Sequence, residues 1–210
     1  MPVTALVGYS VFLALAFGLR AALHYRQTGT TGFIGLTGSA WSTEWWAGVL
    51  FAVATIGGVL GPVAQLAGLV EPWVDRATAA GEQLGTMAVE YQLGIVLTIL
   101  GIAGTLWAQL AMGRSWRVGV DQDARTDLVS RGPFRFVRNP IFTWMTFASA
   151  GLMLLAPNVL AVGSFLTLLV ALELQVRRVE EPYLLRTHGD AYRRYASATG
   201  RFLPGIGRLG

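Results

Sequence analysis

The chain has 210 residues, 53% hydrophobic and only 13% charged, where a soluble globular domain carries about 25% charged residues; too few charges remain to cover a water-facing surface, so much of it must face lipid. It has no cysteine and two histidines, His24 and His188, in no metal-ligand spacing, which excludes disulfides, thiolate catalysis and Cys-based metal sites and argues against a protein-only metal centre. All 16 basic residues are arginine and the net charge is +4, which in so apolar a chain reads as basic loops beside anionic headgroups rather than as nucleic-acid binding.

A transmembrane helix needs about 20 mostly apolar residues. The first run has no basic leader of the kind that precedes a cleaved signal, so it reads as a retained span from Val3 to Leu23. Trp45 to Val70 forms a second span, opened by Trp45 and Trp46 at an interface position. It contains Gly57-x-x-x-Gly61, a spacing that lets helices approach closely and reads here as internal packing rather than a dimer face. The third span runs from Tyr91 to Met112. Asn139 to Leu172 is charge-free but, as one helix of about 51 Å, overshoots a hydrocarbon core of about 30 Å. Pro157-Asn158 near its middle is a turn signal, so it divides into two short helices, Phe142–Ala156 and Val159–Arg178. The expected fold is all-α, a single polytopic membrane domain of about five transmembrane helices followed by a cytoplasmic helical segment. Residues 1–112 supply three spans, and residues 113–210 a helical hairpin and a C-terminal segment. On this plan every arginine but Arg76 falls on one side. By the positive-inside rule that side is cytoplasmic, with the N-terminus outside and the C-terminus inside.

Two segments on the arginine-rich side concentrate polar groups. In Gly132-Pro133-Phe134-Arg135-Phe136-Val137-Arg138-Asn139-Pro140-Ile141-Phe142, Pro140 disfavours helix at Asn139 and can open the next helix. That places Arg138 and Asn139 at a helix N-terminus, a place that suits an anion such as a carboxylate or a lipid phosphate. In the second segment Glu173, Arg177, Glu180 and Glu181 fall at i, i+4, i+7 and i+8, one face of a regular helix. An acid inside an apolar run is a functional candidate. The alternative is a structural network in which Arg177 neutralises Glu173 and Glu181. The stretch from Pro182 to Tyr195 reads as an interfacial helix broken near Gly189, with His188 a surface group.

Taken in order, the Gly132–Phe142 string, a helical hairpin, Glu180-Glu181 and Tyr192-x-x-Tyr195 before Arg201-Phe202-Leu203-Pro204 resemble the isoprenylcysteine carboxyl methyltransferase and phospholipid methyltransferase superfamily. The resemblance covers Gly113 to Pro204. It implies a membrane-embedded enzyme that uses S-adenosyl-L-methionine, yields S-adenosyl-L-homocysteine, and methylates a lipophilic acceptor reached from the bilayer at the cytoplasmic face of a bacterial membrane. Carried across, Arg138, Asn139, Pro140, Phe142, Glu180, Glu181, Tyr192, Arg193 and Tyr195 would bind the cofactor. Arg138, Glu180 and Glu181 would be the catalytic set, and Glu173 and Arg177 would meet the substrate. Asn139 stands where many members have His, and Phe142 where Tyr is usual, so the acceptor stays open. The alternatives are an NADPH-dependent enzyme resembling sterol reductases, whose expected Asn-Tyr pair is missing after Arg138, and a non-catalytic lipid-binding membrane protein. The sequence leaves the oligomeric state undetermined.

Overall fold

The computed structural model describes residues 1–73, 84–119 and 127–210. Of the arginines that orient the chain, Arg76 and Arg125 lie outside the described residues. The described residues are 73% helical. Its helices are α1 (Pro2–Thr28), α2 (Thr43–Leu66), α3 (Leu84–Met112), α4 (Pro140–Leu155), α5 (Val159–His188) and α6 (Asp190–Ala198). Among the described residues there is no strand, only two isolated bridges, Phe33 with Val118 and Val137 with Gly200.

Four helices, α1, α2, α3 and α5, are long and apolar enough to cross a membrane. The fifth, α4, is apolar but shorter, about 24 Å at 1.5 Å per residue. The expected turn at Pro157-Asn158 separates α4 from α5, and Asn158 caps α5 by accepting from the Ala161 N–H at 3.0 Å. The second helix of the hairpin does not stop at Arg178 as expected. It runs to His188 and ends at Gly189, whose φ is +50°.

The helices pack in two tight pairs, α3 with α4 and α2 with α5. Apolar helices in lipid gain little from burying one another, so contact depends on small residues that let backbones approach. On α3 the buried stripe is Gly94, Thr98, Gly101, Gly104 and Thr105. A Cβ added at Gly101 would lie 2.3 Å from the Ala148 amide nitrogen of α4. On α2, Gly57 faces Ser164 and Gly61 faces Ala161 of α5, so that motif serves internal packing.

The two ends of the bundle differ. At one end Asn158 Nδ2 donates to Gly61 O, Gln65 Oε1 and Ala156 O, each at 3.1 Å, and the Trp73 N–H reaches Pro157 O at 2.9 Å. At the other end the arginine-bearing segments gather. Arg20 donates to Gly113 O at 2.5 Å. The Val118 N–H donates to Gly32 O at 2.8 Å, and the Arg138 N–H to Gly200 O at 2.8 Å. The common placement of these segments agrees with the charge pattern.

Candidate functional site

The arginine-rich end encloses a cavity of about 440 Å³, within the roughly 300–1,000 Å³ common for small-molecule sites. Its walls come from both halves of the chain. Phe17 of α1, Phe51 of α2 and Leu172 of α5 give an apolar part. Asn139 and Phe142 at the start of α4, Gln175, Glu180 and Glu181 of α5, and Tyr192 and Tyr195 of α6 give a polar and aromatic part. The segment after α3 adds Trp116 and Arg117, and the loop before α2 adds Phe33 and Leu36. That loop is held in place by the pairing of Ile34 and Gly32 with Val118.

Two glutamates enter this cavity because α5 is not regular. Over Gln175–Glu180 it widens into a π-turn, and the Glu181 N–H bonds Val176 O, five residues back. A wide turn places one extra residue in the spiral and rotates the residues after it by about 100° relative to an unbroken helix. The face drawn from Glu173 through Arg177 to Glu180 and Glu181 is therefore split. Glu173 and Arg177 pair with each other, with 46% and 54% of their side chains exposed, and do not line the cavity. Glu180 and Glu181 turn inward.

The inward glutamates differ in their partners. Glu181 is buried and accepts from Arg138 Nη2 at 2.7 Å, from Arg201 Nε at 2.8 Å and from Arg201 Nη2 at 2.9 Å. Arg138 is buried too. Its terminal nitrogens also donate to Ala196 O at 2.8 Å, Thr199 O at 2.5 Å and Gly207 O at 2.8 Å, while its Nε has no partner among the described residues. One ion-paired guanidinium thus ties the C-terminal tail to the mouth of the cavity. Buried charges are tolerated when paired and hydrogen-bonded in this way. Glu180, by contrast, accepts among the described residues only from Gln175 Nε2, at 3.3 Å.

The tail closes over this network. The Asn139 N–H and Nδ2 donate to Arg201 O at 3.1 and 3.2 Å, and Thr143 Oγ1 donates to Phe202 O at 2.9 Å. The Tyr195 hydroxyl donates to Phe134 O at 2.5 Å. Burial pushes the Tyr195 phenol up to about 12, so it keeps the proton it donates. Tyr192 is buried beside it, the ring centroids 6.2 Å apart, and burial raises its phenol as well.

Of the residues singled out in the sequence, Arg138, Asn139, Phe142, Glu180, Glu181, Tyr192 and Tyr195 line the cavity. Pro140 is buried behind the wall at the first position of α4. Arg193 is turned outward in an exposed pair with Asp190 at 2.8 Å. The motifs gave no sign of the contribution of the first three helices, notably Gln109, which donates to Ala16 O at 3.0 Å and lines the cavity. Its signal was present: an amide inside an apolar span marks a polar interior. Gln175 carried the same signal.

The family model described as phospholipid methyltransferase matches residues 89–191. The matched segment is just under half of the chain, running from α3 to the start of α6, and it agrees with the superfamily resemblance carried by the motifs. It includes Arg138-Asn139-Pro140 and Glu180-Glu181, and stops before Tyr192, Tyr195 and Arg201. No curated protein matches the chain.

Proposed function

Starting from a segment that carries the pattern of a methyltransferase family, we propose that this protein transfers a methyl group from S-adenosyl-L-methionine to a lipophilic acceptor at the cytoplasmic face of the membrane. The observation that carries the reading is the two-part character of the cavity: a free-facing carboxylate and aromatic rings beside an apolar wall built from membrane helices.

The donor set fits the cofactor. Glu180 supplies a carboxyl group, ionised once a cationic amine or sulfonium sits beside it, and Phe142 supplies a ring for an adenine. A carboxylate calls for a cation, and Arg117, which has contacts of its own within the protein, lines the cavity. Arg138 is not assigned that role, because its four terminal N–H groups already meet protein acceptors. S-adenosyl-L-methionine, when bound, supplies an electrophilic methyl group and leaves as a neutral thioether. The chain itself supplies alignment and exclusion of water, which carry much of the rate of such a displacement. Phe17, Phe51 and Leu172 would receive the apolar part of the acceptor. The arginine-rich segments orient this end toward the cytoplasm. Glu173 and Arg177 are left out of the site, since they face away from the cavity.

The test is titration calorimetry on detergent-purified protein. S-adenosyl-L-homocysteine should bind and NADPH should not, and Glu180→Gln should weaken the former about tenfold, the scale of one charge-assisted contact. A folded protein that ignores S-adenosyl-L-homocysteine, or that binds NADPH in its place, would overturn the reading.

A further inference from the structure

The wide turn in α5 does more than turn Glu180 inward. In a straight α-helix, residues five apart are rotated by roughly 140° from one another and their side chains do not meet. A π-turn closes i onto i+5. Gln175 and Glu180 are its first and last residues, both line the cavity, and Nε2 of the one donates to Oε1 of the other at 3.3 Å. The same hydrogen bond cannot form without the wide turn. The neighbouring carboxylate, Glu181, is occupied by Arg138 and Arg201, whereas Glu180 has no cation beside it among the described residues.

We infer that Gln175 is a positioning residue: it holds Glu180 Oε1 so that Oε2 is offered to a cationic group of the bound donor. The amide suits the task. An arginine or lysine at position 175 would neutralise the carboxylate and compete with the ligand, and an apolar side chain would leave it to rotate. A neutral N–H donor fixes its direction and leaves its charge. The inference deepens the methyl-transfer reading and rests on it.

The experiment uses two nucleoside probes, S-adenosyl-L-homocysteine and 5′-methylthioadenosine. They share the adenosine and thioether, but only the first carries an ammonium group. Gln175→Leu should weaken binding of the first by about fivefold or more, the scale of losing one oriented charge-assisted contact, and leave the second unchanged. The Gln175→Leu/Glu180→Gln double variant should bind no more weakly than Glu180→Gln alone, because the amide acts through the carboxylate. Equal losses for both probes, or losses that simply add, would mean that Gln175 is structural, and would overturn the inference. If wild-type protein binds neither probe, the methyl-transfer reading fails first. The hydrogen bond is then judged by infrared difference spectra against Glu180→Gln, which isolate the Glu180 carboxyl band. A band unmoved by Gln175→Leu would sink the positioning role.

Discussion

The two ends of this bundle are built from equally apolar helices and reach opposite results. At the closed end, glycines and alanines bring helix backbones into contact, and one buried amide, Asn158, satisfies three acceptors and caps α5. At the open end, rings line the gap between helices, α5 widens, and a 440 Å³ cavity remains. Small residues decide where helices touch, since lipid removes most of the hydrophobic drive for them to do so. Where they are replaced by Phe17, Phe51 and Phe142, space is left for a ligand. The comparison also shows that an arginine-rich end is not by itself a binding site. Arg138 and Arg201 fasten the tail through Glu181, and the carboxylate they leave facing the cavity is its neighbour.

The contrast can be broken first at the open end. Glu181→Gln removes the anion between Arg138 and Arg201 and leaves a buried guanidinium unpaired. That should cost on the order of 3–5 kcal/mol, read as a large drop in thermal melting in detergent and as protease sensitivity confined to the tail after Asp190. At the closed interface, Gly101→Ala places a methyl group against the Ala148 backbone. Neither helix can yield locally, so roughly 1–3 kcal/mol should be lost. Unaltered melting would show that α3 and α4 are not held as tightly as described. Asn158→Ala deletes the cap of α5 and the side-chain bonds to α2, at about 1–2 kcal/mol, and should leave binding at the distant cavity intact.

Smaller effects sharpen the picture. Tyr195→Phe removes the bond to Phe134 O and should cost about 1 kcal/mol. Because burial raises this phenol to about 12 from an ordinary value near 10, its stabilisation is fully present below pH 10. It is lost as pH rises from 10 through 12, and a melting-against-pH series should show that alkaline loss diminished in the variant. Glu173→Gln, at an exposed i,i+4 pair, should change stability by less than about 0.5 kcal/mol and leave S-adenosyl-L-homocysteine affinity unchanged. A clear loss of affinity would return Glu173 to the site.

Much of this was legible in the sequence. Apolar run lengths, the Pro157-Asn158 turn and the Gly57/Gly61 spacing follow from local chemistry: lipid demands helices, proline-asparagine breaks them, and glycines mark close approach. The Gly132–Phe142 string and Glu180-Glu181 pointed to the arginine-rich end, and most of the residues named from them line one cavity there. The division of labour within the site was not legible. A regular helix puts Glu173, Arg177, Glu180 and Glu181 on one face, and only a change of turn width, in a segment packed against α2, sends two inward and two outward. Nor does the string Glu-Glu say which carboxylate the arginines take. The partners Arg138 and Arg201 lie 43 and 20 residues away in the chain, and such distant pairings exist only once the tail has folded back. The sequence by itself determined a helical membrane protein with its polar chemistry at one end. The tertiary structure decided that the first three helices wall the cavity, that Arg138 is a fastening, and that Glu180 faces the cavity, since each depends on contacts between segments that no local pattern encodes.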